Sequence, residues 1–146
     1  MTEIFIKRSS KKIPLPKYET TGSSGLDLTA NIEGSISIEP GKISIIPTGI
    51  SVSIPKNFEI QIRPRSGLAA KNQISVLNAP GTIDSDYRGE IKVILINLGN
   101  DDFVIKNGDR IAQMVISPVI KTEFEIVDEL PNTLRGLGGF GSTGKN

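Results

Sequence analysis

Thirteen consecutive residues, Asn78-Ala-Pro-Gly-Thr-Ile-Asp-Ser-Asp-Tyr-Arg-Gly-Glu90, gather an amide, three carboxylates, a tyrosine and two glycines. Asn, Asp, Ser and Gly are ordinary turn formers, so one reading is a decorated β-hairpin. The other is a pocket, in which an amide reads the edge of a base, an aspartate accepts a proton and Tyr87 packs on a sugar. A second segment, Arg63-Pro-Arg-Ser-Gly-Leu-Ala69, breaks a strand at Pro64 and starts a helical turn at Ser66 and Gly67. Amides at such a start point outward and favour an anion, with Arg65 and the Ser66 hydroxyl alongside; an ordinary Ser cap between surface arginines reads equally well. A third, Gly22-Ser-Ser-Gly-Leu-Asp-Leu-Thr-Ala30, sets Asp27 between leucines, as a turn-capping or a buried functional group. In Gly108-Asp-Arg-Ile-Ala-Gln-Met-Val115, Gln113 interrupts an apolar strand, and an edge position facing solvent accounts for it.

Two absences narrow the chemistry. The 146 residues contain no cysteine and no histidine. Disulfides, thiol nucleophiles, Cys or His metal sites and Ser-His-Asp triads are excluded. A catalytic base is then a carboxylate, and any metal is hard and oxygen-bound, such as magnesium. Taken together, the segments supply donors for several phosphates, a carboxylate base and an aromatic lid. That set suits hydrolysis of a nucleotide's phosphoric anhydride. No Walker A pattern occurs, which excludes the P-loop route to triphosphates.

The elements that must hold these residues are strands. Isoleucines alternate at Ile36 and Ile38, at Ile50, Val52 and Ile54, and at Ile60 and Ile62. Residues 91–96 are apolar on both alternating faces apart from Lys92, which predicts a strand buried on both sides. Turn signals recur at Glu39-Pro-Gly41, Pro55-Lys-Asn57, Gly99-Asn-Asp101 and Asn107-Gly-Asp109. Only Ser66–Lys71 invites a helix, and Pro118 closes the last strand of the body. The expected class is all-β: a jelly-roll-like barrel or sandwich of many short strands, with one short helix.

Composition agrees with a soluble single domain, at 37% hydrophobic and 23% charged. The first residues show no apolar signal region, which gives a cytoplasmic expectation. The net charge of +1 speaks against stable nucleic-acid binding, although Lys7, Arg8, Lys11, Lys12 and Lys17 cluster in what reads as a solvated loop. Glu123, Glu125, Asp128 and Glu129 form an acidic counterpart. From Arg135 to Asn146, five of twelve residues are glycine and only Leu137 and Phe140 are apolar. Such a segment cannot order itself through a core. It is either a disordered end or a tail that orders on a ligand, with glycine amides for anions, one aromatic and one arginine.

The motifs GSSGLDLTA, PRSGLA, NAPGTIDSDYRGE, GDRIAQ and RGLGGFGSTG stand in this order from Lys12 to Gly144. In this the chain resembles the trimeric dUTPase family, of bacterial type. The resemblance implies a β domain over residues 1–134 and a flexible glycine-rich arm over 135–146 that completes a neighbour's active site in a homotrimer. It implies hydrolysis of dUTP to dUMP and pyrophosphate, limiting uracil in DNA and supplying dUMP for dTMP synthesis. Asp84 matches the general base that activates water at the α-phosphorus. Tyr87 matches the residue packed on deoxyribose, and Asn78 the reader of uracil, helped by Thr82, Ile83 and Lys92. Arg65, Ser66, Gly67 and Gln113 match phosphate contacts. Arg135 matches the γ-phosphate ligand, Phe140 the ring stacked on uracil, and Gly141, Ser142 and Thr143 further phosphate contacts. Asp27 matches a supporting aspartate. Mg2+ is implied on the triphosphate itself, with no direct protein ligand. Leu26 departs from the aromatic common in the family, and Ser23 and Ser24 from an alanine-rich run.

Three other readings are weighed against this one. A dCTP deaminase shares the serine motif but lacks the glycine-rich tail. A regulatory nucleotide-binding module would not need Asp84. A nucleic-acid binder would need a basic excess, and steep salt dependence, that the chain's charge does not promise.

Overall fold

The computed structural model describes residues 2–139. Ten strands and one short helix follow in order: β1 (Phe5–Arg8), β2 (Leu26–Thr29), β3 (Ser35–Ile38), β4 (Ile43–Ser53), β5 (Phe58–Arg63), α1 (Ser66–Asn72), β6 (Ile74–Val76), β7 (Gly81–Ile83), β8 (Glu90–Asn97), β9 (Phe103–Lys106) and β10 (Arg110–Pro118). All pairings are antiparallel. One sheet runs β1-β4-β8-β6, a second β2-β10-β5-β7, and β3 with β9 forms a ribbon. This is the all-β, jelly-roll-like architecture that the alternating isoleucines predict, with the single helix where Ser66 starts it. No helix of the described residues is long and apolar enough to cross a membrane.

The two large sheets bury one continuous core. Leu28, Ile46, Ile60, Ile91, Val93, Ile105 and Ala112 are wholly inaccessible to solvent. Each large aliphatic side chain buried in this way contributes about 2 kcal/mol relative to exposure. The pleat decides the register: Ile60 and Ile62 face inward while Glu59, Gln61 and Arg63 form an outward ladder, with Gln61 donating to Glu59 at 2.6 Å and Arg63 to Gln61 at 2.6 Å. Among the described residues two polar side chains enter the core, Thr48 and Asn97, and both are hydrogen-bonded. Thr48 Oγ1 donates to the Ile91 carbonyl at 2.6 Å. Asn97 Nδ2 donates to the carbonyls of Ile38 and Asp101 at 2.7 and 2.8 Å, and its Oδ1 accepts from Gly99 N at 2.9 Å.

Several expectations change. β8 is buried on one face only; Ile94 and Ile96 are half-buried and meet Ile45 and Ile43 of β4 on an outward apolar face. The segment around Asp84 is no hairpin. β7 pairs with β5 in one sheet and β8 with β4 and β6 in the other, so residues 84–89 cross between sheets. β10 lies inside its sheet, so Gln113 is no edge residue. Lys7 and Arg8 belong to β1 rather than to a loop, and Arg8 Nη1 ties the following turn to the strand by donating to the Ile13 carbonyl at 2.7 Å.

Candidate functional site

The crossing segment builds the first half of the site. Leaving β7, the chain turns at once, with Tyr87 N donating to the Asp84 carbonyl at 3.1 Å. Arg88 holds the turn from outside: its Nη1 donates to the carbonyls of Ser85 and Tyr87 at 2.7 and 2.8 Å. Thr82, Ile83, Asp84, Tyr87 and Lys92 thereby line one open cavity of about 430 Å3, with Ile45, Glu90 and Ile94. Five of the residues singled out in the sequence are brought together here. The cavity combines an apolar wall, an exposed carboxylate, a phenol and an ammonium, which suits a planar polar ring joined to an anionic group.

The second half lies at the far end of β5. Pro64 ends the strand and Arg65, with extended backbone, sits at the N-cap of α1 without a side-chain capping bond. Ser66 and Gly67, the first helical residues, are exposed. Asp27, Arg65, Ser66, Gly67 and Gln113 line a second cavity of about 400 Å3, joined by Glu19, Ser23, Ser24, Gly25 and Arg110. Its floor is an ionic clamp. Arg65 Nε donates to Asp27 Oδ1 at 3.0 Å and Arg110 Nη1 to Asp27 Oδ2 at 3.1 Å, on a carboxylate only 17% exposed. Asp27 therefore holds two guanidinium groups at one opening, and their remaining N–H donors suit a polyanion. Gln113 Nε2 donates to the Pro64 carbonyl at 2.9 Å, fixing the break that presents Ser66. Gly25 leaves room for it: a Cβ at 25 would lie on Gln113 Oε1. Arg110 and Gly25 are the functional residues that motif reading passed over. The signal for Arg110 was its place three residues before Gln113 in the same motif; β10 pairs with β2 so that Gln113 faces Asp27 and Arg110 faces Thr29.

The two cavities share no residue. Ile83 pairs with Ile60, so Asp84 sits at the Glu59 end of β5, whereas Ser66 follows its other end. Six residues of extended chain separate those levels, on the order of 15–20 Å. Asn78 lines neither cavity; it is exposed before β7, its Nδ2 3.1 Å from where a Gly81 Cβ would stand. Arg135 is exposed, and its Nε donates to the Gly138 carbonyl at 2.8 Å. Phe140, Gly141, Ser142 and Thr143 lie outside the described residues. From Val119 to Gly139 the chain carries no strand or helix, and Ile120, Phe124 and Ile126 stand 87%, 95% and 98% exposed.

Comparison with known proteins adds an independent line. A family model described as dUTPase matches residues 11–144. A deoxyuridine 5'-triphosphate nucleotidohydrolase of Rickettsia bellii is 63% identical over 145 residues, covering 99% of this chain and 97% of that protein. Among solved structures, a variant dUTPase of Staphylococcus bacteriophage 80alpha with dUpNHpp superposes with a TM-score of 0.88 at 24% identity, over 99% of each chain. A variant dUTPase of phage phi11 of S. aureus, solved to show the coordination of a structural Mg(II) ion, gives 0.79 at 21% identity, over 89% of this chain and 99% of that one.

Proposed function

The chain belongs to the dUTPase family and is a dUTP diphosphatase, and we propose that it works through a site assembled from two copies, with Asp84 as the base. The observation that carries this reading is the separation of the two cavities. A carboxylate that activates water at a phosphorus, and the hydroxyl that holds that phosphate, must lie within a few ångströms of the same atom. Asp84 and Ser66 of one chain do not meet that condition, and residues from two chains can.

Uracil and deoxyribose occupy the cavity of Thr82, Ile83, Tyr87 and Lys92, and Asn78, which precedes β7, reads the base. Tyr87 packs on the sugar. The triphosphate lies against Arg65, Ser66, Gly67 and Gln113 of a neighbour. Asp84 takes a proton from water as the water oxygen bonds to the α-phosphorus; the bond from that phosphorus to the bridging oxygen breaks, pyrophosphate leaves and dUMP remains. Ser66 and the guanidinium groups stabilise the charge that develops on the phosphate oxygens. Mg2+ belongs on the triphosphate. Among the described residues no three carboxylates converge, and Asp27 has both oxygens engaged by arginines. Held there by the phosphate oxygens, the ion would supply charge neutralisation and orientation of the phosphate chain.

We place Arg135, Phe140, Gly141, Ser142 and Thr143 over the bound nucleotide as an arm, beginning at residue 135, from an adjoining subunit of a homotrimer. The exposed side chains of Ile120, Phe124 and Ile126 support assembly, since unpartnered apolar surface of this kind marks an interaction site. In a cytoplasmic setting the reaction limits uracil in DNA and supplies dUMP for dTMP synthesis.

The test offers dUTP, dCTP, dTTP and UTP separately with Mg2+ and reads pyrophosphate, orthophosphate and ammonia. Pyrophosphate from dUTP alone is the expected result. Ammonia from dCTP would replace this reading with a deaminase.

A further inference from the structure

Tyr87 is fixed by its three successors in sequence, and one of them acts by having no side chain. The phenol donates to the Glu90 carbonyl at 2.9 Å. Glu90 is itself anchored, its Oε1 accepting from Gly49 N at 2.7 Å. Gly49 has φ +68° and lies where β4 slips register against β8, so this bond ties the phenol's support to the neighbouring strand. Arg88 restrains the Tyr87 carbonyl on the other side. The ring then lies across Gly89. A Cβ at 89 would fall on the phenol oxygen and stand 2.6 Å from Cζ and 3.0 Å from Cε2. Gly89 has no positive φ, so its backbone admits any L residue and the demand for glycine is one of space.

We infer that Gly89 is a positioning residue for sugar selection, setting the place of the Tyr87 ring over the cavity and acting through that ring alone. This rests on the reading of Tyr87 as the surface that meets deoxyribose. Contacts at those distances cannot persist, so a methyl group at 89 must displace the ring. A displaced ring no longer meets the sugar at the distance that accepts hydrogen and refuses hydroxyl at the 2′ carbon.

The chain has two tyrosines and no tryptophan, so Tyr18→Phe leaves Tyr87 as the only strong intrinsic fluorophore. In that background, Gly89→Ala should change iodide quenching of Tyr87 by about twofold or more, as the ring leaves its hydrogen-bonded seat. The ratio of kcat/KM for dUTP over UTP should fall by about tenfold or more. Adding Gly89→Ala to Tyr87→Ala should move that ratio by less than about twofold, because the two changes act through one group. Unchanged quenching in Gly89→Ala overturns the inference whatever the sugar is doing, and so does a large further effect in the Tyr87→Ala background. Unchanged selectivity in Tyr87→Ala overturns the sugar reading instead, and the quenching still decides whether Gly89 places the ring. Should Gly89→Ala alone fail to fold, the same substitution beside Tyr87→Phe removes the nearest clashing atom. There a further fall in selectivity supports the inference and none overturns it.

Discussion

Asp84 is exposed at its cavity, and among the described residues no basic side chain forms an ion pair with it. Its carboxylate is therefore not consumed in a clamp, as that of Asp27 is. Asp84→Asn keeps the shape and removes the acceptor. It should lower kcat by about 10²–10⁴-fold while the affinity for a non-hydrolysable dUTP analogue stays within about threefold. Steady-state kinetics and calorimetry on the same preparation check this, and a near-normal kcat would remove Asp84 as the base. In the other cavity, Gly25→Ala should force Gln113 out of its bond to Pro64. The expected effect is a rise in KM for dUTP of about tenfold, with kcat much less affected, together with about 1–3 kcal/mol of lost stability from overpacking. Asp84, Tyr87 and Ser66 could be singled out in the sequence because the chemistry proposed for them is in their side chains. Gly89 and Gly25 could not, because what they contribute is an empty volume, and only the positions of Tyr87 and Gln113 give that volume a meaning.

At the scale of elements, alternation revealed β4, β5, β8 and even the four-residue β3, at Ile36 and Ile38, but missed other short strands. β4, β5 and β8 announce themselves by β-branched residues at period two. β1, β6 and β9 span only three or four residues, too few to establish a period. The crossing at 84–89 was hidden for a different reason: turn-forming residues specify a change of direction, not which strand comes next. Asn97 shows the same limit. Its neighbours read as a continuous apolar strand, yet its amide joins β3, β8 and the loop at Asp101 through three hydrogen bonds. Asn97→Ala leaves buried partners unpaired, chiefly the Ile38 carbonyl, and should cost about 2–4 kcal/mol. Urea unfolding at fixed protein concentration measures this as a lower midpoint at unchanged slope. Because Asn97 lines neither cavity, kcat/KM for dUTP on the folded fraction should stay near the parent value.

On the scale of the molecule, one chain holds both cavities but holds them apart. A rigid β5 of six residues lies between Asp84 and Ser66, and strands packed in a sheet do not fold back to bring their two ends together. Motifs in sequence cannot reveal this, since order along the chain carries no distance. If the working site takes Asp84 from one copy and Ser66 from another, two dead variants can rescue each other. Asp84→Asn and Ser66→Ala, each purified and inactive, should regain activity when unfolded together in equal amounts and refolded. A site drawing its halves independently from a mixed pool is intact in about one case in four, so on the order of a quarter of the parent activity should return. Each variant refolded alone should stay inactive, as should the two mixed without unfolding. If co-refolding restores nothing while the assembled species carries both variants by mass, the halves must meet within a single chain. The separation seen along β5 would then have to close by a rearrangement of the sheet itself.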